Sequence, residues 1–114
     1  PALLTLSNGP THNFGNVAIS GQATVTITVT NSGGVPSTGM SGSGLAAPFD
    51  FAGGAYPGTA GTCAGTLSPL ATCTIVVAFS PTVLGSFNDS VVIDYNNGAA
   101  TTSANRPLTG NGAS

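Results

Sequence analysis

The sequence has no lysine, no glutamate and no tryptophan, and its 114 residues include one arginine, one histidine and two cysteines. With Arg106 as the only side-chain cation, nothing can neutralise a run of phosphates, which excludes nucleic acid and anionic lipid headgroups as partners. Lacking lysine, the chain cannot form the internal Lys–Asn crosslinks that stiffen some surface sandwiches. Mean hydropathy is +0.33, yet no stretch approaches the ~18 consecutive apolar residues of a membrane-spanning helix, so no insertion of that kind is expected.

Metal, redox and catalytic chemistry also lack residues. A zinc site needs four ligands, and Cys63 and Cys73 have one histidine to join them, His12, far away in sequence. Their spacing is not a C-x-x-C motif. A disulfide is the expectation, with buried free thiols as the alternative. It would stabilise the fold by roughly 2–3 kcal/mol on the chain-entropy model and imply an oxidising compartment. No serine stands in a G-x-S-x-G elbow, and His12 lies in a turn-like Pro-Thr-His-Asn stretch. The only carboxylates are Asp50, Asp89 and Asp94, with those on strands expected to face solvent rather than form a hydrolytic pair. Asp94-Tyr95-Asn96-Asn97-Gly98 has a trace of a calcium loop but no bidentate glutamate. Asn88-Asp89-Ser90 matches a glycosylation sequon by chance. Neither an enzyme nor a cofactor is expected.

What the chain does have is glycine, proline and small polar residues. Seventeen glycines and eight prolines break it so often that the longest uninterrupted run is Ser86 to Asn97, leaving little room for helices. Between the breaks, apolar residues alternate with period two: Val25, Ile27 and Val29 against four threonines, then Ile75, Val77 and Phe79, then Val91, Ile93 and Tyr95. Each is the pattern of a half-buried antiparallel strand. Shorter extended segments are expected at Leu4 and Leu6, Phe14 to Ala18, Val35 to Met40, Ala46 to Ala52 with Phe49 to Phe51 at its centre, and Ala99 to Leu108. Asn96-Asn97-Gly98 is expected to supply the positive φ values of a tight hairpin. About seven to eight short strands with no internal repeat predict an all-β fold, an antiparallel β-sandwich. Length fits one domain spanning 1–114, and the start at Pro1 without a leader suggests a piece of a longer protein.

Several landmarks fall in one order: Phe14-Gly15-Asn16-Val17, Gly21, Val29-Thr30-Asn31-Ser32-Gly33, Phe49, Leu67-Ser68-Pro69 before Cys73, Phe79-Ser80-Pro81 with Gly85, and Pro107-Leu108-Thr109-Gly110-Asn111-Gly112. This set resembles the ASH-like domains, immunoglobulin-like sandwiches related to major sperm protein, and in particular the bacterial choice-of-anchor D domain. The resemblance covers nearly the whole chain. It implies a non-catalytic module of an extracellular or cell-surface protein, with the periplasm as the other compartment that fits, and it brings no catalytic residues.

The leading expectation is a structural or adhesion module of a bacterial adhesin or fibre, with neighbouring domains of its parent protein as partners. The alternative is a tip that binds a cell-surface glycan or protein through Phe49, Asp50, Phe51 and Tyr56, in a Gly- and Pro-rich region holding three of the seven aromatics. Against it stands the reading of Phe49 and Phe51 as core residues covered by Tyr56, in a chain poorly supplied with stacking residues. Apolar faces and strand edges leave room for homo-oligomerisation.

Overall fold

The computed structural model describes all 114 residues, Pro1–Ser114. Eight strands follow one another: β1 (Leu4–Leu6), β2 (His12–Ala18), β3 (Ala23–Asn31), β4 (Thr38–Ser43), β5 (Phe49–Phe51), β6 (Thr72–Phe79), β7 (Gly85–Asn96) and β8 (Thr101–Ala113), with one short 3-10 turn at Ala52–Gly54. They form two four-stranded sheets of order β1-β3-β6-β5 and β2-β8-β7-β4. Every pairing is antiparallel except β2 with β8. The fold is an immunoglobulin-like β-sandwich.

Period-two alternation builds the core. From β3, Ile27 and Val29 turn inward, and β6 adds Ile75, Val77 and Phe79 in register with them. Val91, Ile93 and Tyr95 of β7 and Leu108 of β8 close the cluster from the other sheet. Aromatic rings concentrate in one half, where Phe49 stacks on Phe79 at 4.9 Å between centroids and Phe14 packs on both. The outer face of the first sheet carries Thr5, Thr24, Thr26, Thr28, Thr30, Thr72 and Thr74, whose hydroxyls keep it wettable without charge.

Four strand expectations need correction. The strand placed at Val35 to Met40 is Thr38–Ser43 instead, because Pro36 has no amide to donate and Ser37 makes only an isolated bridge to Leu67. Only Phe49–Phe51 of the Ala46 to Ala52 segment is strand. The β7–β8 hairpin turns through four residues, Asn97 to Ala100, and among them only Gly98 has positive φ (97°). Both hairpin strands outrun their expected limits, reaching back to Gly85 and on to Ala113. The continuous ladder from Asn96↔Thr101 to Gly85↔Gly112 holds glycine, asparagine and serine extended despite their weak β preference.

The chain enters at one end of the sandwich and leaves at the other. Ala2 N donates to Asn97 O beside the β7–β8 turn, whereas Ile19 N donates to Ala113 O where β8 finishes. The long axis measures 47 Å against 23 and 19 Å across.

Candidate functional site

The connection between β5 and β6 closes one flank of the sandwich. Cys63 and Cys73 are joined in a disulfide with Cα atoms 4.9 Å apart, both side chains buried. Because β5 is only three residues long, it pairs with Val77 to Phe79 and leaves the rest of the β6 edge open. The connection covers that edge: Val76 N donates to Pro57 O, and both Thr62 N and Cys63 N donate to Thr74 O. Thr74 N in turn donates to Thr62 Oγ1 at 2.9 Å. Further along, Met40 N donates to Gly65 O, and Ser37 and Leu67 exchange two backbone hydrogen bonds, so the same connection also covers the β4 edge. The disulfide thus fixes a strap between the two sheets and blunts two edges open to strand addition.

The four residues proposed for ligand contact separate by burial. Alternation along β5 turns Phe49 (2% exposed) and Phe51 (6% exposed) into the core and Asp50 outward. Neither phenyl ring is available to stack on a ligand. Tyr56 folds back edge-on to Phe51 at 5.8 Å and donates its hydroxyl to Ala64 O at 2.9 Å. Gly42 of β4 makes this pair possible, since a Cβ there would stand 2.3 Å from the Phe51 ring and 2.9 Å from that of Tyr56. Asp50, the one exposed residue of the four, borders a groove of about 550 Å³ that is lined also by Gln22, Ala46, Pro48, Gly54 and Ser80, with the buried Phe49 and Phe51 at its base. Its Oδ1 accepts from Phe51 N, and across the groove Gln22 Nε2 donates to Ser80 Oγ at 2.9 Å. The groove offers acceptors and small apolar groups, with no exposed aromatic face for a sugar ring.

Burial raises the Tyr56 hydroxyl above its ordinary pKa. A group whose folded pKa is raised contributes stability below its unfolded pKa, here near 10, and loses it as pH rises through the folded value. Denaturation midpoints should therefore keep this contribution up to about pH 9 and lose it above about pH 10, and Tyr56→Phe should remove that part of the fall while keeping the ring contact with Phe51. An equal alkaline loss in both proteins would contradict this assignment.

His12, Asp89 and Asp94 are each engaged with a neighbouring residue. His12 packs edge-on against Phe14 at 4.7 Å, and burial lowers its pKa. Asp89, expected to face solvent, is half-buried, because its Oδ2 accepts from Ala46 N where the chain crosses from β4 to β5. Asp94 accepts from Ser43 Oγ at 2.7 Å. No three His, Cys, Asp or Glu side chains converge as a metal site would require.

Two residues with larger roles escape a reading of the sequence. Asn31, fully buried at the end of β3, accepts from Leu3 N and Gly33 N and donates to Val35 O and Leu67 O. Arg106 donates to the carbonyls of Leu6, Ser7 and Pro10, gripping the bend that carries the chain from β1 in one sheet to β2 in the other. For Arg106, the only signal was a lone cation with no carboxylate at a helpful spacing.

Comparison with known proteins agrees with this architecture. The family model for the HYDIN/CFA65/VesB-like, Ig-like domain matches residues 4–106. The VesB protease of Vibrio cholerae superimposes with a TM-score of 0.69 at 16% identity, over 95% of this chain and 31% of that one. The human CEP192 ASH/PapD-like domain (PapD-like domain 7) gives 0.65 at 13% identity, over 96% of this chain and 84% of that one. The secreted serine protease VesC of V. cholerae gives 0.55 at 15% identity, over 86% and 21%. The chain thus spans under a third of the two Vibrio proteins. No curated protein sequence matches it.

Proposed function

Because the chain belongs to the HYDIN/CFA65/VesB-like family of immunoglobulin-like domains, we propose that it is a non-enzymatic, load-bearing module of a larger secreted or cell-surface bacterial protein. The ordered landmarks from Phe14-Gly15 to Pro107-Leu108 resemble the choice-of-anchor D domain and support reading it as that bacterial type. An adhesin or fibre is the parent that suits it. The disulfide and the likeness to part of the secreted serine protease VesC support an extracellular setting, where disulfides persist.

The observation that carries the reading is mechanical. Chain entry and exit lie at opposite ends of the 47 Å axis, so tension on the termini runs along the strands. Ladder hydrogen bonds lie across that direction and are loaded together in shear instead of being unzipped one at a time. The polar side chains serve the same purpose, since Asn31, Asp89 and Arg106 each tie one segment of the fold to another.

Force spectroscopy on the 114-residue domain tests this. Pulling through Pro1 and Ser114 should require clearly more force than pulling through Pro1 and Leu70, which share an end. Reducing Cys63–Cys73 should lengthen the unfolded chain by about 35 Å, the reach of the ten residues it hides. Equal forces in the two geometries would refute the load-bearing role. Specific binding of the domain to a glycan array, lost on Asp50→Ala, would replace this role with that of a tip.

A further inference from the structure

The large hydrophobic side chains left exposed are not scattered. All six lie at the two ends of the sandwich, and none on a sheet face. At the N-terminal end are Leu3, Val35 and Leu70, gathered around Asn31: Leu70 N donates to Asn31 O, Ser32 N donates to Leu3 O, and Asn31 Nδ2 donates to Val35 O. At the C-terminal end are Ile19, Val83 and Leu84, gathered around the end of β8 through Ile19 N on Ala113 O and the Val83 backbone against Gly112. Single exposed hydrophobics need no explanation, but their segregation to matching ends does.

The two ends also differ in shape. The N-terminal end holds a groove of about 330 Å³ lined by Pro1, Val35, Pro36, Thr38, Gly98 and Ala99. The C-terminal end presents the bend Thr82 to Leu84, whose Val83 and Leu84 side chains are 57% and 61% exposed. We propose that the N-terminal groove receives the Val83–Leu84 bend of a second copy of this chain, so that copies stack in line along the long axis. This rests on the reading of the domain as an in-line mechanical element, and it names the surface and the partner.

A second copy is the occupant that the chemistry favours. No charged side chain lines the groove, and none occurs in Ile19 to Gly21 or Pro81 to Gly85, so a partner with a charged rim finds no complement at either end. Apart from the terminal ammonium and carboxylate, which a peptide linkage removes, each end matches the other in lacking charge and exposing branched aliphatic groups. An end face of 23 by 19 Å offers about 440 Å², below the ~800 Å² per partner of a stable complex. The contact is therefore weak between free copies and holds once they are tethered, because a linkage from Ser114 to Pro1 brings the two faces together at an effective millimolar concentration. With its two faces at opposite ends of one axis, the contact is head-to-tail and propagates a line instead of closing a ring.

The test joins two copies, Ser114 to Pro1, in one polypeptide. Nuclear magnetic relaxation should show both domains tumbling as one body, and X-ray scattering should give a maximum dimension about twice that of one copy. Val83→Asp with Leu84→Asp in the first copy should let the domains tumble independently, while the same substitutions in a single copy shift its denaturation midpoint little, as expected of exposed positions. Free single copies should remain monomeric at micromolar concentration. Independent tumbling of the unsubstituted pair would overturn the proposal, as would a rigid pair indifferent to the substitutions. Binding of a single copy to neutral lipid vesicles through Leu84 would overturn it in favour of a membrane contact. Failure of stacking leaves the difference between the two pulling geometries untouched, so the two readings fail separately.

Discussion

Replacing Asn31 with alanine should destabilise the domain by about 3–4 kcal/mol, the largest effect expected of any polar side chain in it. The side chain is 0% exposed and makes four hydrogen bonds to backbone groups of three segments: Leu3, the Gly33–Val35 turn and Leu67. Each bond contributes about 1 kcal/mol net, but leaving buried donors and acceptors without partners costs about 1–3 kcal/mol apiece. Partial relaxation of the turn keeps the total below their sum. Asn31→Asp should be nearly as damaging, since it keeps both acceptor contacts, loses both donors and buries a charge. The measurement is the urea midpoint at constant slope. A loss under about 1 kcal/mol for Asn31→Ala would mean that water replaces the amide and that the three segments hold together without it.

Arg106→Ala should cost about 2–3 kcal/mol, although the arginine touches no carboxylate. Its guanidinium donates to three carbonyls, with Nε to Ser7 O at 3.0 Å, Nη1 to Pro10 O at 2.6 Å and Nη2 to Leu6 O at 2.5 Å. Hydrogen bonds from a charged donor contribute about 1.5–3 kcal/mol each when sheltered, and solvent at this partly exposed site reduces that figure. Arg106→Lys should recover only a minor part, because an ammonium group cannot present the planar fork that spans three acceptors. Amide exchange should quicken first in β1 and the start of β2, where the bend is released. If exchange quickened uniformly across both sheets instead, the arginine would be acting through global stability and the clamp would be refuted.

Much of the fold is legible in the sequence because burial imposes its period on side chains. Val25-x-Ile27-x-Val29 and Val91-x-Ile93-x-Tyr95 can bury one face only as strands, and both do. The extensions of β7 and β8 were not legible. Segments such as Thr109-Gly110-Asn111-Gly112 are extended because each residue has a ladder partner on β7, and that partner lies 21 to 27 residues away. The strand expected from Val35 to Met40 moved for a related reason: Val35 is held by Asn31, and pairing with β7 starts at Thr38.

The candidate site shows the same division. Alternation over Phe49-Asp50-Phe51 required the phenylalanines to share one face and the aspartate to take the other, but could not say which face was wet. The register Phe49↔Phe79 and Phe51↔Val77 decided it by aligning both rings with the core-facing row of β6. Tyr56 was drawn in by the space that Gly42 leaves on β4, a vacancy on a different sheet and invisible locally.

By itself the sequence determined an all-β sandwich, a cysteine pair set apart from the one histidine, and a surface whose only side-chain cation is Arg106. These follow from composition and short-range periodicity, which act whatever the rest of the chain does. Only the tertiary structure decided that the strap held by Cys63–Cys73 spans both sheets, that Asn31 and Arg106 tie segments as far apart as Leu6 and Arg106, and that the exposed aliphatic side chains gather at opposite ends of one axis. Such features depend on which distant residues meet, and that is fixed by the joint packing of two sheets rather than by any local preference.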